Sequence, residues 1–509
     1  MSSDRARISY DEYRQYRAVV MQQGRVTVEA DWNEAQQIVN EEIRKETLDF
    51  VGSSGTPDKG YAIDLTGQPM QLPFDFSVCP GTMYVGGLRA FLTHYIKYSV
   101  QQDWLDCSTD LDWVDLSAKS SIYNELIYLY LREQEVSAVE DSDLREVALG
   151  GPDTAQRLRL IQRIKRLSTE AQDCNDAMTI AAKKWETEGL HFDPHTMRLE
   201  SWSTLKASFQ DLGSSVGSSN PQANGGYLGA DNQLIRVQIS GSNKLLWGFD
   251  NASFIYRVDT KDGQTLHFQK RPVDASHQPK TNQVVEVLRS AAQLSNGNYI
   301  ASATGKFFKL TVSYDSDTQS LKLPATDTDG KALPTAYWDQ QQTPQIFLRV
   351  WQDELPFTPS MAVALGDTGL QVTLQTTSEG KLFHVGDYWS IAVRPSTSCE
   401  VYPHRYLVDF QPPDGPRLWV CPLAVIERVI EICGGKGTGT IKLLESYQNH
   451  FDNLVKISIS DKILNKTLQD ILNQHQNILD QYKKTFTLSV ISLIFSFLAI
   501  LVCGLGFWR

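Results

Sequence analysis

From Thr485 to Trp508 the chain carries no charged side chain, and that run limits the possible folds more than any other feature. A helix over it measures about 35 Å, enough to cross a hydrocarbon core of about 30 Å. The sequence therefore predicts a transmembrane tail anchor over 485–509, with Phe486, Leu488, Ile491, Phe495, Leu498, Leu501 and Trp508 as its membrane-facing residues. Lys483 and Lys484 stand directly before the run and only Arg509 beyond it, so the positive-inside bias predicts a single-pass anchor with the body in the cytoplasm. The opening MSSDRARISYDEYR has no apolar stretch of the kind a secretory signal needs.

A formal net charge of −12 and a pI near 5.3 argue against a nucleic-acid partner, which calls for a basic face. The seven cysteines are odd in number and form no CxxC pair, which suits free thiols in a reducing compartment.

Along the chain, Ser9 with Glu12 and Asp31 with Glu34 read as two helix-capping boxes, each leading into an apolar stripe. They predict helices ending near Gly24 and Gly52, the second carrying Trp32, Ala35, Val39 and Ile43. Short runs rich in aromatic and β-branched residues follow from Gly60 to Leu131, and Asp153–Glu188 reads as helical again. Ala207–Gly226 is rich in Ser, Gly and Asn and reads as a linker; beyond it QLIRVQI, KLLWGF, SFIYRV, IFLRVW and LQVTLQT read as strands of an antiparallel sandwich or barrel.

A heptad pattern runs from Leu443 to Tyr482. With Tyr447 as position a, the seam holds Leu454 and Leu468 at a and Ile457, Leu464, Ile471 and Ile478 at d, which predicts a homo-oligomer of three or more chains. Counted onward, the same line meets Ser489, Ser492, Ser496 and Cys503, small residues that allow close helix approach in lipid.

The fold class expected is α+β: a mainly antiparallel β body with N-terminal helices, then a C-terminal coiled coil and one transmembrane helix. The boundaries are an N-terminal α+β domain over 1–206, a linker over 207–224, a β-rich domain over 225–432, a Gly-rich linker over 433–440, a rod over 441–484 and the anchor.

Candidate chemistry is thin. His191, Asp193 and His195 offer metal-ligand types with no further ligand, and Glu140, Asp141 and Asp143 read as a solvated turn rather than a calcium loop. The glycines from Gly434 lack phosphate-loop spacing, and no GxSxG or HExxH is present. No catalytic residue, metal or cofactor is expected. Trp32, Trp247 and Trp389 are candidates for docking or core positions.

Several stretches carry a resemblance: QQGRVTVEADWNEA from Gln22, GTMYVGGL from Gly81, YLYLREQEVSAVEDSDLREVALGGPDTAQR from Tyr128, GGYLGADNQLIRVQI from Gly225, LLWGFDNASFIYRV from Leu245, VGDYWSIAVR from Val385 and PPDGPRLWVCPLAVI from Pro412. In order, they resemble a family of uncharacterised proteins encoded beside phage-tail-like contractile injection systems. The resemblance implies a structural component of the baseplate periphery or tail fibre, with baseplate proteins as partners and no catalytic residues. The rod and anchor lie beyond the shared region; with them the chain looks like the attachment of such a particle to a bilayer, at a bacterial inner or thylakoid membrane. The alternative function is a membrane-tethered carbohydrate-binding or hydrolytic β protein.

Overall fold

Two long strands far apart in sequence build the central sheet. Ser121–Val136 and Leu418–Cys433 pair antiparallel, from Leu418 opposite Arg132 to Ile430 opposite Ser121, with a bulge between Pro422 and Ala424. The computed structural model describes residues 4–66, 75–107, 121–210, 225–338, 343–433, 436–447, 449–451 and 462–505. Around the central pair the strand order is Arg157–Thr169, Ser121–Val136, Leu418–Cys433, Arg198–Ser201 and Leu190–Asp193, and Lys436–Ser446 also pairs with Leu418–Cys433.

Side-chain alternation along the Ser121–Val136 strand sets what covers each face. Ile127, Leu129 and Leu131 point into a core with Met83, Val85 and Trp419, beneath the small sheet of Ser54–Gly55, Gly81–Val85 and Leu88–Leu92. Leu126 and Tyr128 point the other way, against helix α2 (Cys174–Glu186) through Ala177, Ala181 and Trp185. Helix α1 (Glu29–Val51) is the other N-terminal helix, and it buries only Ala30 and Ile38 fully.

The region between Arg198–Ser201 and Leu418–Cys433 is inserted between strands that pair with each other. Its five-stranded sheet runs Asp353–Pro356, Lys244–Gly248, Gln233–Gly241, Tyr388–Val393, Val401–Tyr402. A three-stranded sheet of Ser203–Phe209, Leu370–Thr376 and Ala362–Ala364 shares its core, where Leu205, Val237, Val372 and Trp389 meet. A six-stranded sheet centred on Ile346–Trp351 encloses a further core around Val258, Val287 and Leu348. The pairings among all these strands are antiparallel.

The chain divides into Met1–Phe451 and Asp452–Arg509. The second unit contains α4, a continuous helix over Lys462–Leu505; α3 is the short helix Arg405–Val408 of the first.

Several expectations are corrected. The described residues are mostly antiparallel β sheet with four α-helices, not an α+β chain ending in a membrane span. Among the described residues no helix is long and apolar enough to cross a membrane, which overturns the tail anchor and the membrane localisation built on it. Asp480, Lys483 and Lys484 lie in α4 ahead of its apolar part. Phe486, Leu488, Ile491, Phe495 and Leu498 are exposed on α4, whereas Trp508 and the side chain of Leu501 lie outside the described residues.

The first predicted helix is a single 3-10 turn, Glu12–Arg14, capped by Asp11 and stopped by Gln15 in the left-handed region. Val19, Val20, Val26 and Val28 beyond it are poor helix formers, and residues 15–28 form neither helix nor strand. Within Asp153–Glu188 the stretch Arg157–Thr169 is a strand, paired with Ser121–Val136 rung by rung from Val136 opposite Arg157 to Asn124 opposite Thr169. Within the expected glycine linker at 433–440, Lys436–Thr440 instead belong, together with the start of the rod at Ile441–Ser446, to a strand returning along Leu418–Cys433, while Gly434 and Gly435 lie outside the described residues. Leu454 and Ile457 lie outside the described residues, as do most of the 207–224 linker and the side chains of Leu464, Leu468, Ile471 and Cys503.

Candidate functional site

A cleft of about 400 Å³ opens where four parts of the fold converge. The N-terminal strap from Ile8 to Tyr13 forms one wall, the Gln37–Arg44 face of α1 another, the Arg198–Ser201 strand the floor, and the loop Gln411–Arg417 the rim. The strap is pinned at both ends: Arg5 pairs with Glu135, and Asp11 lies 3.9 Å from Arg405 on α3.

Glu41 sits between two guanidiniums, accepting from Arg44 Nε at 2.8 Å and from Arg417 Nη1 at 2.7 Å. Burial pushes its carboxyl up, but Arg417 and Arg44 outweigh that and hold it below the usual carboxylate value. Glu133 lies 3.9 Å from Arg417; there burial prevails and the carboxyl is raised. Arg198 pairs with Glu200 at 3.2 Å and stands opposite Trp419 across the sheet. Burial lowers the Arg198 guanidinium, and Arg417 and Arg44 lower it further. Arg198 Nε and Trp419 Nε1 are buried with no hydrogen-bond partner among the described residues.

On the far side, Asp387 accepts from Ser201 Oγ, and Asp414 accepts from the Ser390 amide at 2.8 Å and the Tyr406 hydroxyl at 3.0 Å. Burial raises both carboxyls. Ser201 and His384 do not form a nucleophile–base pair, because Ser201 Oγ bonds to Asp387 while His384 Nδ1 lies 2.9 Å from the Glu188 carbonyl. The lining carboxylates Asp11, Glu12, Glu41, Glu200, Asp387 and Asp414 each have a partner from the same chain. Such an arrangement locks elements together.

A second cleft, of about 640 Å³, lies among Thr260–Gln264, Phe308, Pro324 and Trp338. Asp262, its one acid, has both oxygens engaged in a turn with Gln264 and Thr265.

The sequence candidates are scattered. Trp389 and Trp247 are buried in the inserted core, whereas Trp32 is 61% exposed on α1. Ile478, Ser489, Ser492 and Ser496 lie on exposed α4, and the Ser489 and Ser496 hydroxyls donate to the carbonyls four residues back. Asp193 is consumed by the His195 amide and the Thr196 hydroxyl, and His191 packs against Trp202. Glu140 is buried, accepting from Ser137 and Ala301, while Asp141 and Asp143 share Asn296. Among the described residues no group of three or more His, Cys, Asp or Glu side chains could hold a metal. The cleft residues Glu41, Arg198 and Asp387 were missed, since a salt-bridge network drawn from distant segments has no local signature. One signal did exist: VGDYWSIAVR contains Asp387, and PPDGPRLWV contains Asp414, Arg417 and Trp419.

The model of a family of unknown function, DUF6519, matches residues 1–189. The match ends just past α2, so it includes the Ser121–Val136 strand but not Leu418–Cys433, which completes its sheet. Comparison with curated proteins and with solved structures finds no match.

Proposed function

We propose that this chain is a non-enzymatic structural protein of a phage-tail-like contractile injection apparatus, placed at the baseplate periphery or in a tail fibre. The observation that carries the structural half of this reading is the cleft whose six lining carboxylates are each held by the chain's own groups. Here the carboxylates join strap, helix, sheet and loop, as a rigid assembly part needs.

The second half rests on the seven ordered stretches. Two of them, separated in sequence, meet at this joint through Asp387 and Arg417. The test is isolation of the chain under native conditions, followed by mass spectrometry of its companions. Sheath, tube and baseplate proteins in fixed stoichiometry are expected. Recovery as a free protein, or with enzymes of polysaccharide metabolism, overturns the proposal.

A further inference from the structure

Between the Glu12–Arg14 turn and α1 the chain leaves the body. Val20 and Val26 are 82% and 87% exposed, and the segment reverses at a turn where the Arg25 amide bonds to the Gln22 carbonyl. From Tyr13 to Val28 this arm contains Arg14, Arg17 and Arg25 and no acid, and all three arginines are exposed. It is a basic, valine-rich arm.

Helix α1 presents the complementary surface. Its inner side is fixed by buried Ala30 and Ile38 and by Arg44, which donates to the Gly86 carbonyl at 3.1 Å. On the outer side Trp32, Gln36, Val39, Ile43, Glu46 and Phe50 follow alternating steps of four and three, the spacing of a helix seam. All six are exposed, Phe50 to 83%. The charged residues exposed beside this stripe are Glu29, Glu42, Glu46 and Asp49. It is an acidic, apolar stripe.

We infer that the arm of one copy of this chain docks on the α1 stripe of a second copy. Charge selects this occupant: pairing two α1 stripes would set acid against acid, whereas arm on stripe sets Arg17 and Arg25 against Glu42 and Glu46. Size agrees. Nine large apolar side chains between Tyr13 and Phe50 are exposed, which amounts to on the order of 1,000 Å² and matches one side of a standard interface. Reciprocal exchange gives a two-fold dimer and head-to-tail exchange gives a ring.

The test uses full-length chains co-expressed in a background carrying Cys399→Ser, Cys433→Ser and Cys503→Ser, which removes the thiol exposed among the described residues and the two whose side chains lie outside them. One chain bears Val20→Cys and the other Val39→Cys. Mild oxidation is expected to link them, with the linked peptides identified by mass spectrometry. Arg17→Glu with Arg25→Glu on the arm should lower the yield about tenfold, and Glu42→Lys with Glu46→Lys on the acceptor chain should restore it. No link between chains overturns the inference, as does a yield indifferent to charge reversal. A chain carrying both cysteines that links only within itself also overturns it, showing that the arm folds back on its own helix.

Discussion

Arg428 donates to the Glu125 carboxylate at 2.9 Å inside the central sheet, joining strands some 300 residues apart in the chain. Arg166 Nε reaches the other Glu125 oxygen, also at 2.9 Å, and all three side chains are almost fully buried. Glu125→Gln removes the carboxylate that the two buried guanidiniums share and should cost about 3 to 5 kcal/mol in urea unfolding. Replacing the three together by Leu, Met and Met should cost less than the single change, because the two guanidiniums then leave with the carboxylate they share. If the triple variant is the weaker of the two, the ion cluster contributes more than its desolvation penalty.

Trp32 and Trp185 should separate cleanly. Trp185 is buried against Tyr128 and Phe192, with ring centroids 5.7 and 5.9 Å away, so Trp185→Ala should cost about 3 to 5 kcal/mol. Trp32→Ala, on the exposed stripe, should change stability by no more than about 0.5 kcal/mol. Thermal unfolding of the two variants side by side, at a dilution where the chain is monomeric, checks this, and a large loss at Trp32 would place it in a core.

The contrast shows what could be read from the sequence. Around Trp32 the amphipathic period predicts a helix, which forms over Glu29–Val51; the expected cap Asp31 lies inside its first turn, with Val28 at the N-cap, and periodicity alone does not say which of two apolar stripes faces the body. In QLIRVQI, tight alternation with β-branched residues leaves little choice, and the strand Gln233–Gly241 lies there. Arg157–Thr169 misleads because Leu160, Ile161, Ile164 and Leu167 also fit a helical face; its state is settled by Ser121–Val136, a partner that local spacing cannot name. The same holds at the cleft, where Glu41 and Arg417 become neighbours only after the insertion between them has folded.

The seating of α1 depends on a reverse turn. Gly87 has φ +81°, and a Cβ there would lie 2.1 Å from the Arg44 carbonyl oxygen. Gly87→Ala therefore combines left-handed strain with a backbone clash, and should cost about 3 kcal/mol or more while loosening α1. Gly24 has a similar φ of +72° but nothing within 4 Å, so Gly24→Ala should cost only about 1 kcal/mol. Amide hydrogen exchange along α1 should accelerate in the first variant and not in the second.

Asp387 gives a pH test with a definite sign. Burial raises its carboxyl, and the opposing pull of His384 and the hydrogen bonds from Ser201 and Ser203 do not cancel the rise. The folded state thus binds this proton more tightly than the unfolded chain does, so the contribution of Asp387 to stability is full below the ordinary value of 3.8 and is lost as pH climbs through the raised value. Asn at this position keeps an acceptor for the Ser201 hydroxyl and never ionises. The stability of Asp387→Asn relative to the parent should therefore grow as pH rises from about 4 to 8. Glu41, whose carboxyl is lowered, contributes in the opposite sense, and the difference between variant and parent removes it because both chains carry it. Urea midpoints measured across that range decide the matter: a difference that shrinks with rising pH would show that Asp387 is stabilised as the carboxylate.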